Sequence, residues 1–384
     1  AFDRAAALFR RALTPDAPPH ARALRVKLGD ALAHAGVGGE AARAYLLAAV
    51  DSDPAAALAL ERRAAEQLLR SGHVDEGVEV IRSVLDALGM GFPASPAAAR
   101  ASLDARRASL DAPAGRAPAV HDPSALARLE VCWSVGNGLG GVSPVVGADF
   151  HARHVELALQ GGDDYQVARA LSWGAMLAAM EGGAGALRAE ALAERAEEMA
   201  ERAGHPHGLG WSVAAAAVTA FCEGRWRRAA QLSEYGSALF RERCVDVAWE
   251  LGELEVRWHL PACAYRGELH VLAERSAQAA REAAARGDRY NLTNVRTTLL
   301  PLVHLSRDQA VEARRGVTEA IASWSSSGFH LQHGNAGLAL AMVDLYEARP
   351  ERAHAGLTAL RRHLDAAQLM ELLTVRATWH HLQG

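Results

Sequence analysis

The sequence predicts an all-α fold, an α-solenoid in which antiparallel helical hairpins stack into a superhelix. Three observations carry this. Ala, Leu, Arg and Glu dominate the 384 residues, while aromatic residues make up only 5%. Those four residue types lose little side-chain freedom in a helix. The long periodic segments have helical spacing, and no run of Val and Ile announces a strand. Finally, the chain repeats itself: LGDALAHAGVGGEAARAYLLAAVDSDP is echoed by AEQLLRSGHVDEGVEVIRSVLDALG, which places Gly36 against Gly72, Glu40 against Glu76 and Leu32 against Leu68.

Each unit reads as a helix, a turn at glycine and a second helix. The glycine supplies the left-handed conformation that ends the first helix, and a small residue such as Ala41 lets the second helix approach it. Leu28, Gly29, Leu32, Gly36, Ala41, Tyr45 and Ala48, ending at Pro54, resemble the tetratricopeptide repeat. The unit from Ala65 to Val84 fits more loosely. Gly183, Gly224 and Gly267 mark further turns at longer spacing, with Ala229 as a second small residue, and Gly162, Gly204, Gly287 and Gly328 fall near the ends of second helices. The stretch from Gly89 to Pro123 holds five prolines, which cannot donate inside a helix and restrict the residue before them. The expected organisation is therefore tetratricopeptide-like repeats over 1–88, a Pro/Ala-rich linker or insertion over 89–123 that uncouples the two parts and holds a short helix from Ala97 to Leu110, and about six longer hairpins over 124–384.

GNGLGG, from Gly136 to Gly141, satisfies the spacing of a dinucleotide-binding loop. That motif needs a strand before the glycines and an acidic residue some 20 positions on, within a βαβ unit. SALARLEVCWSV before it has helical spacing and Glu156 after it lies in a helical pattern, so the glycines read as an inter-helix turn. No P-loop, kinase catalytic, nucleophile-elbow or zinc-protease motif occurs, and Ser306 to Gln309 reads as a capping box. The pairs His151/His154 and His330/His333 share helix faces, but spacing pins no third metal ligand. The net charge of −4 argues against a nucleic-acid partner. No apolar run is long enough for a membrane span. Four separated cysteines fit the thiols of a reducing cytoplasm. All 41 basic residues but Lys27 are arginine, a coding bias. The chain opens without Met in a helical pattern, as expected of a piece of something longer.

Trp133, Trp211, Trp249 and Trp258 fall in first helices, which usually line the concave face of such an array, and Trp226 follows the turn at Gly224. Trp133, Trp211 and Trp258, with Arg257, Tyr290, Asn291, Arg296, His330 and Gln332, are the candidate partner-binding residues, since aromatic and arginine side chains anchor interfaces. Read in order, VCWSVGNGLGGVSPVVGADFHARHVELAL, AGHPHGLGW, EGRW, FRERCVDVAWEL, ARGDRYNLTNVRT and WSSSGFHLQH resemble the C-terminal helical region of large bacterial serine/threonine protein kinases. The resemblance implies a parent with a kinase domain and a P-loop ATPase module upstream, where ATP and magnesium would bind. It implies no catalytic residue, cofactor or metal in this chain. The expected role is non-catalytic and regulatory: binding a protein, peptide or small effector and relaying its occupancy to the upstream domains. The alternatives are the effector-binding solenoid of an ATPase-linked transcription activator and, less well supported by the motifs, a stand-alone enzyme.

Overall fold

The computed structural model describes residues 1–13, 21–111, 122–183 and 185–384, without the side chains of 107–111. Part of the proline-rich stretch, 112–121, lies outside the described residues. Those described form an array of antiparallel helices with no strand. Helix α1 (Phe2–Ala12) leads into the hairpins α2 (Ala21–His34)/α3 (Gly38–Ala49) and α4 (Pro54–Arg70)/α5 (Val74–Ala87). A lone helix α6 (Pro96–Asp111) follows. Next come α7 (Pro123–Gly140)/α8 (Pro144–Gly161), α9 (Asp164–Glu181)/α10 (Gly185–Ala203) and α11 (Pro206–Cys222)/α12 (Trp226–Arg243).

The sixth and seventh hairpins have interrupted first helices. One runs as α13 (Ala248–Gly252), a π turn over Glu253–His259, and α14 (Leu260–Tyr265), paired with α15 (Leu269–Arg286). The other runs as α16 (Arg289–Asn294), a π turn over Val295–Leu299, and α17 (Leu300–Leu305), paired with α18 (Ala310–Ala322). The cause is proline. Pro261 and Pro301 have no N–H to offer the carbonyl four residues back. The ladder slips to the wider spacing just before each, with Leu260 N–H donating to the Glu255 carbonyl and Leu300 N–H to the Val295 carbonyl. The hairpin α19 (Leu331–Tyr346)/α20 (Pro350–Ala366) and α21 (Leu373–Gln383) complete the array.

Six of the eight hairpin turns share one device. Gly36, Gly72, Gly224 and Gly267 adopt φ between 74° and 79°. The next N–H reaches back to close the helix: Val37 to the Leu32 carbonyl, His73 to Leu68, Arg225 to Ala220 and Glu268 to Cys263. The last two hairpins make the same turn without glycine, through Asp308 and Ala348 at φ 59° and 55°. The capping box expected at Ser306 is corrected by this arrangement. Ser306 caps the C-terminus of α17 with its hydroxyl on the Val303 carbonyl, and α18 begins after Gln309.

GNGLGG is not the turn the sequence suggested either. Gly136, Gly138 and Gly140 lie inside α7, and the chain turns only at Gly141. Each glycine admits a neighbour where a side chain would stand. A Cβ on Gly136 would lie 2.5 Å from the His151 ring of α8, one on Gly138 would lie 2.5 Å from Leu69 of α4, and one on Gly141 would overlap the Tyr290 hydroxyl of α16.

Tyr290 is far along the chain from Gly141, and its presence there reveals the winding. The first hairpin touches the sixth: Gly36 packs on Ala248 and Arg286. The second touches the seventh, where the Ser71 carbonyl accepts the N–H groups of Arg289 and Tyr290 at 2.9 and 3.4 Å. The third touches the eighth, with Leu331 N–H donating to the Val142 carbonyl at 2.8 Å. In the fourth, the Glu181 carbonyl accepts from Arg376 of α21 at 3.0 Å. The superhelix thus closes on itself every five hairpins.

The core follows the winding. One buried cluster joins Leu69 and Ile81 to Ala99 of α6, to Val131 and Val135 of α7, to Phe150 of α8, and to Tyr290 and Trp324. Residues on both sides of 89–123 share this core, so the uncoupling expected there has no counterpart in the packing. Helix α6 lies on α8, with Ser102 donating to Asp149 at 2.6 Å and Arg106 to Glu156 at 3.2 Å. Ala41 and Ala229 are wholly buried. Overpacking the α4–α7 contact should therefore disturb both parts at once. Gly138→Val is expected to destabilise the protein by about 1–3 kcal/mol. Hydrogen exchange should show protection falling together in 54–87 and 123–161, and loss confined to one of them would contradict a shared core.

Candidate partner-binding cleft

First helices of successive hairpins face the inside of the superhelix, and there they line a cleft of about 460 Å³. Helix α4 contributes Arg62, Glu66 and Arg70 at four-residue spacing, so the three side chains stack along one face. Helix α7 adds Glu130 and Trp133, α9 adds Tyr165 and Arg169, the start of α11 adds His207, the end of α12 adds Arg243, the segment after it adds Asp246, and α13 adds Glu250.

The charges form a connected network. Glu66 accepts from Arg62, Arg70 and the Ser134 hydroxyl at 2.9, 2.9 and 2.6 Å. Burial pushes its carboxyl up, but Arg70 and Arg62 outweigh this and hold it at about 2. Arg70 lies 3.9 Å from Glu250 and 4.9 Å above the Trp249 ring. Arg169 donates to Glu130 at 2.7 Å and stacks 4.2 Å over Trp133. His207 Nε2 stands 3.3 Å from both Glu250 and the Trp211 indole N–H, while Tyr165 bonds its Nδ1 at 2.9 Å. Arg63 pairs with Asp30 and bonds the Tyr45 hydroxyl at 2.6 Å.

Three atoms of this network are buried without a hydrogen-bond partner among the described residues: Arg70 Nε, Arg169 Nε and Glu250 Oε2. Such groups cost free energy unless something satisfies them. Asp246 carries a related cost. Burial, with Glu250 and Glu66 nearby, pushes its carboxyl up to about 7 against the pull of Arg70.

Of the residues singled out from sequence, Trp133 lines this cleft and Trp211 stands behind it, edge-on to Trp133 at 5.4 Å. Trp258 is buried against Phe221. Arg257, Tyr290, Asn291, His330 and Gln332 meet elsewhere, where the turns of the superhelix touch. Arg257 donates to Tyr290, which donates to Glu253 at 2.5 Å. Asn291 donates to Asp288, and Gln332 donates to the Gly141 carbonyl at 2.8 Å and to Asn294. His330 accepts from Trp324 at 3.0 Å. Of these, Gln332 joins distant hairpins, Arg257 and Tyr290 join adjacent ones, and Asn291 and His330 bond locally. Arg296 is half-buried on the second π turn. The two histidine pairs are likewise internal: His151 and His154 are buried, and His333 bonds the His330 backbone. Sequence reasoning missed Arg62, Glu66, Arg70, Arg169, Asp246 and Glu250. The spacing of Arg62, Glu66 and Arg70 was a visible signal, but which face of α4 is the inner one was not.

No family model matches the chain, and no curated protein matches it. Among solved structures, the crystal structure of yeast Tom70 is similar over 100% of this chain and 92% of its own, at 11% identity and a TM-score of 0.32. The P58(IPK) TPR domain is similar over 94% of this chain and 99% of its own, at 16% identity and a TM-score of 0.17. Neither likeness carries a residue or a role across. Among the described residues, no helix is long and apolar enough to cross a membrane.

A carboxyl that titrates near 7 in the fold but near 3.8 when free leaves the folded chain holding extra protons between those values. Stability therefore falls as pH rises through that window. Asp246→Asn should remove the penalty, and asparagine also tolerates the left-handed backbone at this position (φ 59°). The variant is expected to gain on the order of 1 kcal/mol near pH 8 and almost nothing near pH 4. Denaturation at the two pH values checks this, and an equal effect at both would contradict it.

Proposed function

We propose that this chain is a non-catalytic, partner-binding regulatory region whose inner cleft takes a polar, mixed-charge segment of a protein. The observation that carries this reading is the mixed row of charges that lines the cleft, Arg62, Glu66, Arg70, Glu130, Arg169 and Glu250, already fixed by ion pairs and aromatic stacking. A segment carrying both carboxylate and cationic or amide groups would complement both signs, and the prior ordering of the side chains keeps the entropic cost of binding low.

The sequence resemblance supports a finer reading. The chain would be the regulatory part of a multidomain serine/threonine protein kinase in the cytoplasm, acting on the kinase and P-loop ATPase domains of the same polypeptide. The winding suggests how. The cleft draws on the first six hairpins, and the first and second of these touch the sixth and seventh. An occupant that favours one spacing of the turns would shift the whole superhelix in proportion to that preference.

Peptides selected from a random display library test the first reading. Binders should be rich in both acidic and basic residues. Arg243→Glu, at the exposed rim of the cleft, should weaken them about tenfold. Binders indifferent to this substitution, with hydrogen exchange unchanged at 62–70 and 243–250, would overturn it. The finer reading is tested in the full-length parent, where adding a binder should change the rate of phosphate transfer from ATP and Arg243→Glu should blunt the change.

A further inference from the structure

The outer face of the superhelix carries a groove separate from the inner cleft. It runs between the second helices of the fourth and fifth hairpins, α10 and α12, over the outward side of α11. Its volume is about 570 Å³. The floor is apolar in character. Val213 and Ala216 lie there half-buried, and the hydroxyls of Ser212 and Thr219 turn onto the Leu209 and Ala215 carbonyls of their own helix at 2.9 Å each. The walls carry opposite charges. Glu190, Glu194 and Glu197 line the α10 side, at the spacing that puts them on one face. Arg225 and Arg228 line the α12 side, followed by Tyr235, which is 58% exposed.

Elsewhere in the array the equivalent gap is crossed by ion pairs. Between α12 and α15, Arg275 joins Glu234 of the facing wall at 3.6 Å and Glu255 of the floor at 2.6 Å. Between α18 and α20, Arg314 and Arg352 meet on Asp344 of the floor at 2.6 and 3.3 Å. Between α10 and α12 the charges stay apart. Arg225 reaches Glu190 only at 3.9 Å, at one end, and pairs more closely with its own neighbour Glu223. Glu194, Glu197 and Arg228 have no ion-pair partner among the described residues.

We propose that this groove docks one α-helix of a partner protein. The helix carries Arg or Lys along the flank that meets α10, Asp or Glu along the flank that meets α12, and small apolar residues between them. Charge complementarity sets the two flanks, the shallow apolar floor sets the seam, and Tyr235 is an aromatic anchor at the rim. Backbone accounting selects a helix over an extended segment. The groove is built from the sides of helices, whose N–H and C=O groups are already bonded, so an extended segment would lie over the floor with its own groups unpaired. A helix brings its hydrogen bonds with it. At 1.5 Å per residue, Arg225 to Tyr235 spans about 15 Å, which is about three turns of the docked helix. The chain makes one such contact within itself: α6 lies on α8, with Ala99 wholly buried and Arg106 on Glu156 at 3.2 Å.

Fluorescence anisotropy of the full chain with labelled, alanine-based helical peptides of about 14 residues tests the assignment. One peptide carries Arg on one flank and Glu on the other, and a second carries Glu on both. The first should bind below millimolar concentration and about tenfold more tightly than the second. Glu194→Arg combined with Glu197→Arg, both at exposed positions, should invert that order. Tyr235→Ala should weaken the first peptide about tenfold. Arg243→Glu should leave it unchanged, which separates this groove from the inner cleft. No binding of the first peptide, an order that survives the reversal on α10, or binding lost in Arg243→Glu would each overturn the proposal. Self-association of the unsubstituted chain that the first peptide displaces would assign the groove to a second copy and overturn it as well.

Discussion

Helix α7 can sit at the centre of this superhelix because four of the six residues from Gly136 to Gly141 have no side chain. Through them it takes the His151 ring, Leu69 and the Tyr290 hydroxyl on three sides, and Gly147 of α8 approaches the Gly140 backbone closely. Glycine is a poor helix former, at about 1 kcal/mol per position relative to alanine. The burial of Val131, Val135 and Leu139 among those neighbours offsets the cost. Remove the close approach and the second, third, seventh and eighth hairpins lose their common contact.

This closure separates the molecule from an ideal repeat array, in which each unit meets only its neighbours and stability is a sum of local terms. Here polar groups that join distant hairpins are buried: Gln332 donates to the Gly141 carbonyl, and the Ser71 carbonyl accepts from the N–H groups of Arg289 and Tyr290. Such bonds are costly to break singly, because each leaves an unsatisfied partner in a dry place. They lock the winding, while Glu253 and Arg257 lie on the π turn ahead of Pro261 and Tyr290 on the helix that leads into the π turn ahead of Pro301.

The same winding builds two different interiors. First helices from several hairpins bring arginines and carboxylates to one cleft, where Arg169 stacked on Trp133 keeps its charge against an aromatic face. One aromatic layer away, His151 and Trp173 close the floor of an aliphatic cavity between α8, α9 and α10. Trp133, Trp173 and Trp211 stand within 5.4–5.5 Å of one another in two of their pairings, so one aromatic layer separates the two spaces.

Sequence alone determined the helical class, the hairpin pattern and most turns, because these rest on local causes: helical periodicity and a left-handed glycine at Gly36, Gly72, Gly224 and Gly267. It also placed Trp133 on an inner-facing first helix. It could not determine what GNGLGG does, because a glycine that ends a helix and a glycine that admits another helix look alike until the neighbour is known. For the same reason it could not tell that Tyr290, Asn291, His330 and Gln332 are buried between turns, or that Arg62, Glu66 and Arg70 face Glu250 across a cleft. Those facts depend on the pitch of the superhelix. The pitch is a sum of small crossing angles over many hairpins, and only tertiary packing between residues some 200 positions apart fixes it.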